Sequence, residues 1–591
     1  MSGGDQESTG GFGSRLGLAV LALIALAVVL VYVDRIFLDL PLYAGDEGAY
    51  LIHALYGKAT AADPRLAPDL QELTNTAFLL IIRAVTYGTH NLIEWLRALG
   101  GAAYFAGILL VWLVVRGTLN ARHAAGFLLL ALAFPYYRFV FAVMPEGWYV
   151  GVLGLMFLAT VKLYLSHPVS HALLVGSLAG VLVLLKPHGV AVIAAFPILA
   201  LLDLVWGQRR ISTVAARLIV FALAFLAAGN LIALLAGETP TRPFTFFVGG
   251  HYANALASDT TQASLMVGAR SLALLVASSL LLAGAPILTG LLRIWLRWRW
   301  VSGRGRFDLE PQEVGFLFVL LSFGATLAMT AIFTMKATFY GPTEAGRLWG
   351  RYFELFVPLI WLTAAGFIGE FERGGGRAWR IATGAVPLMA FAAFALLLSD
   401  GVFLFPWDAT ALTAFFRPDP GRFSIVPFIP HFAIATAATL AACVAQAFTN
   451  WRSYKIWLAY FVVLAVLSTA LDRAWEREGL PARASLNTEL GIAQQIIAAQ
   501  DGAVAGVVDN LNVGHSMFWV LQARPHMILV GPDEDVPARA LGDYDTVIVA
   551  GPHDVVGGGW KPLLEGQQLK VLRREAAIAE QRRLGLAPGT R

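Results

Sequence analysis

The chain repeats one pattern along most of its length: an apolar run about as long as a bilayer is thick, then a short polar turn. An α-helix rises about 1.5 Å per residue, so roughly twenty apolar residues carry it across the hydrocarbon core. By that length, membrane spans are expected near 15–37, 92–115, 123–143, 147–166, 172–186, 189–206, 213–236, 266–292, 313–336, 352–369, 381–400, 428–448 and 455–472. Those thirteen segments account for a sequence that is 58% hydrophobic and only 14% charged, with a mean hydropathy of +0.67. A soluble fold has no interior large enough for that much apolar surface, so lipid must be the solvent for most of it. The polar stretch 1–14 reads as a disordered cytoplasmic tail. The run after it has no small-residue cleavage site and reads as an uncleaved anchor.

The net charge of +4 does not point to nucleic acid, because the basic residues sit in short turns between apolar runs. Cytoplasmic turns of membrane proteins collect Lys and Arg. Arg116 and Arg122, Lys162, and Arg209, Arg210 and Arg217 fall on one side of the register. So do Arg293, Arg297, Arg299, Arg304 and Arg306, then Arg373, Arg377 and Arg380, then Arg452 and Lys455. With the N-terminus inside, all these turns are cytoplasmic, and an odd number of spans leaves the C-terminus outside.

The segments of the opposite side differ. Residues 38–91 form a long first outer loop rich in acids: Asp39, Asp46, Glu47, Asp63, Asp69 and Glu72. The stretches 237–265, 337–351 and 401–427 carry Pro, Gly and aromatics. Loops at membrane depth must be buried in protein or line a cavity, so a chamber on the outer face is expected. From about residue 476 the character changes. "LNTELGIAQQIIAAQ" reads as an amphipathic helix, and "AVAGVVD", "HMILVG" and "DTVIVAG" as short buried strands, with "GHSMFWVLQA" a helix between the first two. That alternation predicts a small α/β domain over 476–591, outside the membrane. "VVGGGW" at 555–560 lacks the spacing of a phosphate-binding loop and reads as an ordinary loop. The single cysteine, Cys443, lies within an apolar run, which excludes an intramolecular disulfide and a Cys-rich metal site.

A set of polar residues falls at the outer ends of the spans. Asp46 and Glu47 follow the first span, and Glu146 stands in the turn "FAVMPEGWY". Lys186 and His188 stand in "LLKPHGVAV", and Arg347, Arg351 and Tyr352 in "EAGRLWGRYFELFVP". Ionisable groups at membrane depth are costly and mark sites or paths. A carboxylate such as Asp46 can take the proton of a hydroxyl. Lys and Arg can hold a phosphate, Arg by its two-pronged donors. Tyr43, Tyr50, Trp148 and Tyr252 can stack on a sugar ring. Taken singly, each residue also has a plain reading. The Asp-Glu pair fits a solvated turn, Glu146 after Pro145 a helix start, Lys186 a snorkelling cation, and Arg351 a partner of Glu354 or Glu344. His53, His90 and His251 lack metal-ligand spacing. The combination is what points to a reaction centre.

In chain order, these features are an acidic pair in a long first outer loop, then "AFLLIIRAVTYGTHNLIEWLRALGG" leading into the second span. A proline-acid turn, a "KP" turn, and an Arg-Tyr entry with a proline six residues past the tyrosine follow. This order resembles the GT-C membrane glycosyltransferases, especially the protein O-mannosyltransferases (dolichyl-phosphate-mannose mannosyltransferase-like) and the bacterial aminoarabinose transferase acting on lipid A. The resemblance covers roughly residues 15–370. It implies a GT-C fold over 15–475, with 38–91 as its catalytic loop and an external C-terminal domain. By position, Asp46 matches the catalytic base and Glu47 its partner. Glu146 matches the second acidic position, where Asp is commoner. Lys186 matches the lysine of the later turn, and Arg351 and Tyr352 the entry facing the donor. The sequence departs from the family before span two, where relatives carry Lys-Pro or His-Pro and this chain has "ELTNTAF". A grip on the donor phosphate must then pass to Lys58, Arg83 or Arg347.

The resemblance implies an inverting transfer of a sugar from a polyprenyl-phosphate donor to a hydroxyl of a glycolipid, glycan or protein. The setting is the outer face of a bacterial inner membrane, with no cofactor and no nucleic-acid partner. Asp46, Glu47 and Glu146 can share a divalent cation, but the branches resembled require none, and no metal is expected. A transporter or flippase of lipid-linked saccharides is a rival that predicts internal repeats and broken mid-membrane helices; no clear repeat is visible, and the charged cluster sits at one face. A saccharide ligase or polymerase is a second rival and usually lacks the acidic pair in the first loop. A scaffold using the membrane as an anchor needs far fewer spans.

Overall fold

The computed structural model describes residues 11–37, 45–61, 75–86, 91–206, 210–237, 261–302, 307–337, 346–374, 376–398, 402, 404, 408–415, 431–499, 502–509, 513, 514, 517, 520, 521, 526–531 and 534–583. They divide into two compact units. The first is Met1–Phe37, Ala98–Phe141 and Pro145–Asp472; the second is Leu38–Arg97, Ala142–Met144 and Arg473–Arg591. Asp39, Tyr43, Asp63, Asp69, Glu72, His90, His251, Tyr252 and Glu344 lie outside the described residues.

The helices in chain order are α1 (Gly11–Ile36), α2 (Gly45–Ala61), α3 (Thr76–Thr86), α4 (Leu92–Val115), α5 (Ala121–Ala133), α6 (Glu146–Leu163), α7 (Pro168–Leu185) and α8 (Gly189–Trp206). They continue as α9 (Ile211–Leu235), α10 (Thr261–Ser302), α11 (Pro311–Ala337), α12 (Phe356–Gly374), α13 (Arg377–Leu397), α14 (His431–Phe448) and α15 (Ser453–Ala498). Each expected span overlaps one of them. Among the described residues, ten helices are long and apolar enough to cross a bilayer, and the chain is an integral membrane protein. The remaining three expected spans coincide with α1, α5 and α12. Of these, α5 has only 13 residues. Pro135 forces the residue before it out of the helical region, and Phe134 is extended at φ −62° and ψ 127°. The chain goes on as a 3-10 helix, Pro135–Phe141.

Lipid supplies no hydrophobic drive between helices, so close backbone approach must hold the bundle. Helices α4 and α6 meet through Gly107, Gly151 and Gly154, where a Cβ on Gly154 would lie 2.7 Å from the Gly107 Cα. Helices α7 and α9 meet likewise at Gly180, whose added Cβ would lie 2.8 Å from the Phe225 carbonyl oxygen. Overpacking of this kind costs about 1–3 kcal/mol. Gly154→Ala should therefore lower the unfolding temperature in detergent, while Gly117→Ala, with nothing within 4 Å of its added Cβ, should leave it unmoved.

Buried charges tie distant segments of this unit. Arg138 donates to Asp472 at 2.5 Å and to the Thr410 carbonyl at 2.9 Å, and Arg35 lies 3.7 Å from the same Asp472. At one end of α10 and α11, Arg293 and Arg297 bind Glu313 at 2.9 and 2.6 Å, and both also pair with Glu310. Trp295, Trp298 and Trp300 are exposed at that end of α10, as an interfacial aromatic belt requires.

In the second unit, the end of α15 carries Leu486, Leu490, Ala493 and Ile497 on one face, the amphipathic helix expected there. That face packs on a sheet and on Ala49 and Ile52 of α2. The strands are β1 (Val504–Val508), β2 (His526–Leu529), β3 (Val536–Pro537), β4 (Thr546–Ala550), β5 (Val555–Val556), β6 (Trp560–Glu565) and β7 (Leu569–Arg574). The large sheet runs β2-β1-β4-β7-β6, its first three strands parallel and its last three antiparallel. β1, β2 and β4 are the three strands expected from the sequence. β6 and β7 were not, because Pro562 and the alternating charges of "LKVLRR" obscure a half-exposed hairpin. Gly514, Met517 and Val520 are helical within the expected "GHSMFWVLQA", as is Val513 just before it. Gly557 and Gly559 turn the chain between β5 and β6 at φ +117° and +94°, conformations that favour glycine. A short helix, α16 (Glu575–Arg583), follows β7.

Candidate active site

The site in the first unit is assembled by turns whose geometry the sequence dictates. Pro145 precedes α6 with φ −73°, so Glu146 opens the helix, where an acid complements the unpaired N–H groups. Lys186 ends α7 in an extended conformation, φ −152° and ψ 128°, because Pro187 follows it. These two ends meet: the Lys186 ammonium donates to Glu146 Oε1, and both side chains are buried. Glu146 is only 1% exposed, and its second oxygen, Oε2, has no hydrogen-bond partner among the described residues.

Aromatic rings surround the pair. Lys186 Nζ lies 4.5 Å from the centre of the Tyr352 ring. His188 stacks on the same ring at 3.9 Å, and Trp349 lies nearly parallel to it at 5.9 Å. Phe333 of α11 meets Trp349 and Tyr352 edge-on at 5.1 and 5.8 Å. Two arginines complete the wall. Arg351 lies 5.0 Å from the Tyr352 ring centre and donates to its hydroxyl at 3.1 Å. Arg347 lies 4.0 Å from the Trp349 ring centre and grips Asp408 with Nε and Nη2, each at 2.7 Å.

The arginines are held by backbone. The Arg351 N–H donates to the Asp408 carbonyl, and the Arg351 carbonyl accepts from the Tyr136 hydroxyl at 3.0 Å. Glu354, fully buried, gathers the Thr410 N–H at 2.5 Å, the Thr410 hydroxyl at 2.6 Å, and the Ala411 and Leu412 N–H groups at 3.1 Å each. The plain pairing of Arg351 with Glu354 raised by the sequence is thus replaced by a backbone cradle. The depth of the site follows from α11. Phe333 touches it, whereas Glu313 belongs to the Arg293–Arg297 network, and twenty helical residues separate them by about 30 Å. Site and network therefore lie at opposite ends of a helix about as long as a bilayer is thick.

The expected residues divide between the units. Glu146, Lys186, Arg347, Arg351 and Tyr352 come together in the first. Asp46, Glu47, Lys58 and Arg83 belong to the second. There Asp46 and Glu47 stand in the first turn of α2 and Lys58 near its end; the Asp46 and Lys58 side chains lie outside the described residues. Glu47 is buried and accepts the Val143 N–H at 2.5 Å, and Val143 precedes Glu146 by three residues in the chain. Arg83 donates Nε to the Ala54 carbonyl at 2.8 Å, and Tyr50 meets Phe78 edge-on at 5.3 Å, so α3 braces α2.

Trp349, Phe333, Asp408 and the role of Glu354 were missed by sequence reading. Asp408, in "FPWDAT", carried a usable signal: an acid amid aromatics in an outer stretch calls for a cation. Among the described residues, no group of three His, Cys, Asp or Glu side chains is placed to hold a metal. Chemically, three cations set among aromatic rings suit a phosphate joined to a ring, and the open oxygen of Glu146 suits a hydroxyl donor.

No protein-family model and no curated protein sequence matches the chain. Among solved structures it is similar to the Archaeoglobus fulgidus oligosaccharyltransferase in its apo form, at 13% identity and a TM-score of 0.43, covering 91% of this chain and 70% of that one. It is similar also to the archaeal oligosaccharyltransferase AglB from the same organism in complex with an inhibitory peptide and a dolichol-phosphate, at 12% identity and a TM-score of 0.43, with the same coverage.

Proposed function

We propose that the protein is an inverting membrane glycosyltransferase. It moves a sugar from a polyprenyl-phosphate donor to a hydroxyl of a glycolipid, glycan or protein at the outer face of a bacterial inner membrane. The observation that carries this reading is the buried Glu146–Lys186 pair beside the Tyr352, His188 and Trp349 rings and the two arginines, at one end of the membrane helices. The opposite end collects Arg293 and Arg297, the signature of a cytoplasmic face, and that supports an outer location for the site. A prenyl chain lies in lipid while its phosphate sits at the cations. Lys186, Arg347 and Arg351 stabilise the negative charge that develops on the departing phosphate as the glycosidic C–O bond breaks. Tyr352 and its neighbours hold the sugar by stacking. Asp46 removes the proton of the attacking hydroxyl, which displaces the phosphate from the opposite face and inverts the anomeric carbon. Glu47, bonded to the backbone of Val143, fixes the first turn of α2 that carries Asp46. Lys58 and Arg83 are assigned supporting roles on the donor side.

The test is Asp46→Asn, assayed in membranes supplied with a polyprenyl-phosphate sugar. Transfer should fall by about three orders of magnitude or more, within the range of a lost general base and its charge, with unchanged protein yield. Asp63→Asn in the same first loop should transfer as the parent does. Equal activity in the two variants removes Asp46 from the mechanism.

A further inference from the structure

In the second unit, polar groups that the transfer chemistry does not use gather at one edge of the sheet. In the five-stranded sheet, β1 and β4 are parallel neighbours. The chain leaves β1 toward β2 on one side and leaves β4 toward β6 and β7 on the other. Where the connections of adjacent parallel strands part, a crevice opens beyond their carboxyl ends, and ligands of α/β sheets bind there. The chain following β1 supplies Asp509 to this edge, and the chain following β4 supplies Gly551 and His553.

His553 Nδ1 lies 3.0 Å from the Glu534 carbonyl oxygen. A carbonyl only accepts, so Nδ1 carries the proton, and in the neutral ring Nε2 is left as an acceptor. Nε2 is buried, with no hydrogen-bond partner among the described residues, and faces Asp509 Oδ2 at 3.6 Å, too far for a hydrogen bond. Two acceptors thus confront each other across a gap. Gly551, at φ +100°, keeps that gap clear: a Cβ there would come 3.3 Å from His553 Nε2 and 3.9 Å from Asp509 Oδ1. The Asp509 side chain is 29% exposed, whereas His553, 2% exposed, lies beneath it. Lys570 is engaged by Asp554 at 2.5 Å, and Glu534 and Asp535 add further carboxylates nearby. Such surroundings repel anions and call for neutral hydrogen-bond donors, the reverse of the cation-lined site in the membrane unit.

We propose that this crevice is a saccharide subsite. Two neighbouring hydroxyls of one sugar ring donate, one to the Asp509 carboxylate and the other to His553 Nε2, and the ring occupies the space beside Gly551. Naming the bound sugar as the acceptor glycan rests on the proposed transferase function; the binding itself does not.

The experiment uses the purified full-length protein in detergent. It is screened on an array of neutral hexoses, pentoses, heptoses, N-acetylhexosamines and their short oligomers, and the best binder is then titrated. Asp509→Ala should weaken that binder about tenfold or more, the worth of one hydrogen bond to a charged group, without shifting the unfolding temperature. His553→Phe should weaken it likewise, with some loss of stability because the Glu534 carbonyl loses its donor, and Lys561→Ala, on the exposed edge strand, should bind as the parent does. Absence of any bound sugar, binding indifferent to Asp509→Ala, or occupation of the site by Ca²⁺ or Zn²⁺ without sugar each overturns the proposal. The two readings separate cleanly. Asp46→Asn should abolish transfer and keep sugar binding, so a variant pair in which transfer survives Asp46→Asn while binding is lost in Asp509→Ala sinks the mechanism and leaves the subsite standing.

Discussion

Lys186→Met is expected to cost the protein both stability and turnover, and the two losses can be separated. Removing the ammonium leaves the Glu146 carboxylate buried without its counter-charge, a change worth about 3–5 kcal/mol in comparable buried pairs. It also removes a cation from the proposed phosphate site, which on that reading slows transfer by roughly 10³-fold. The double variant Lys186→Met with Glu146→Gln removes both charges, and replacing a whole buried pair is near neutral. Its unfolding temperature in detergent should therefore return close to that of the parent, while its transfer rate stays at the level of the single variant. Recovery of activity together with stability would reduce the pair to a structural tie and remove it from catalysis.

Glu354→Gln carries the second large effect. The carboxylate receives the N–H groups of Thr410, Ala411 and Leu412 and the Thr410 hydroxyl. An amide keeps the shape but turns an NH₂ toward donors, leaving at least one buried N–H unsatisfied at a cost of about 1–3 kcal/mol. The loosened stretch is the one whose Asp408 grips Arg347 and whose carbonyl takes the Arg351 N–H. Both arginines then lose registry with the rings of Trp349 and Tyr352, and misplacement on the scale of 1 Å is worth about 10²-fold in rate. Limited proteolysis should reveal new cleavage within 408–415, and the loss should appear in kcat more than in KM for the acceptor. An unchanged cleavage pattern with full turnover would show that the cradle does not position the arginines.

Much of the membrane architecture was legible because its cause is one-dimensional. A helix in lipid must satisfy its own backbone within a run of fixed length, so each expected span overlaps a helix. The α5 span was the least well drawn, because Pro135 breaks it inside an apolar run that composition alone does not divide. In the C-terminal region, fully buried β1 and β4 announced themselves by unbroken apolar runs. The β6–β7 hairpin is half exposed, and its polar alternation resembles that of a loop.

The residues of the candidate site were legible as types at span ends, since a charge at the edge of a membrane helix is costly enough to require a reason. Their partners were not. Nothing in the local sequence says that Glu146 and Lys186, 40 residues apart, form one ion pair, or that Arg347 pairs with an acid 61 residues downstream. Nor does it say that Glu354 serves backbone rather than Arg351. Sequence by itself determined which segments are apolar enough for a membrane, where the turns fall and which ionisable groups stand at them, because those follow from hydropathy, proline geometry and helix length. Only the tertiary structure decided which of those groups meet, because pairing depends on how close the glycine faces of α4, α6, α7 and α9 let the helices approach, and that distance is a property of packed surfaces rather than of any one segment.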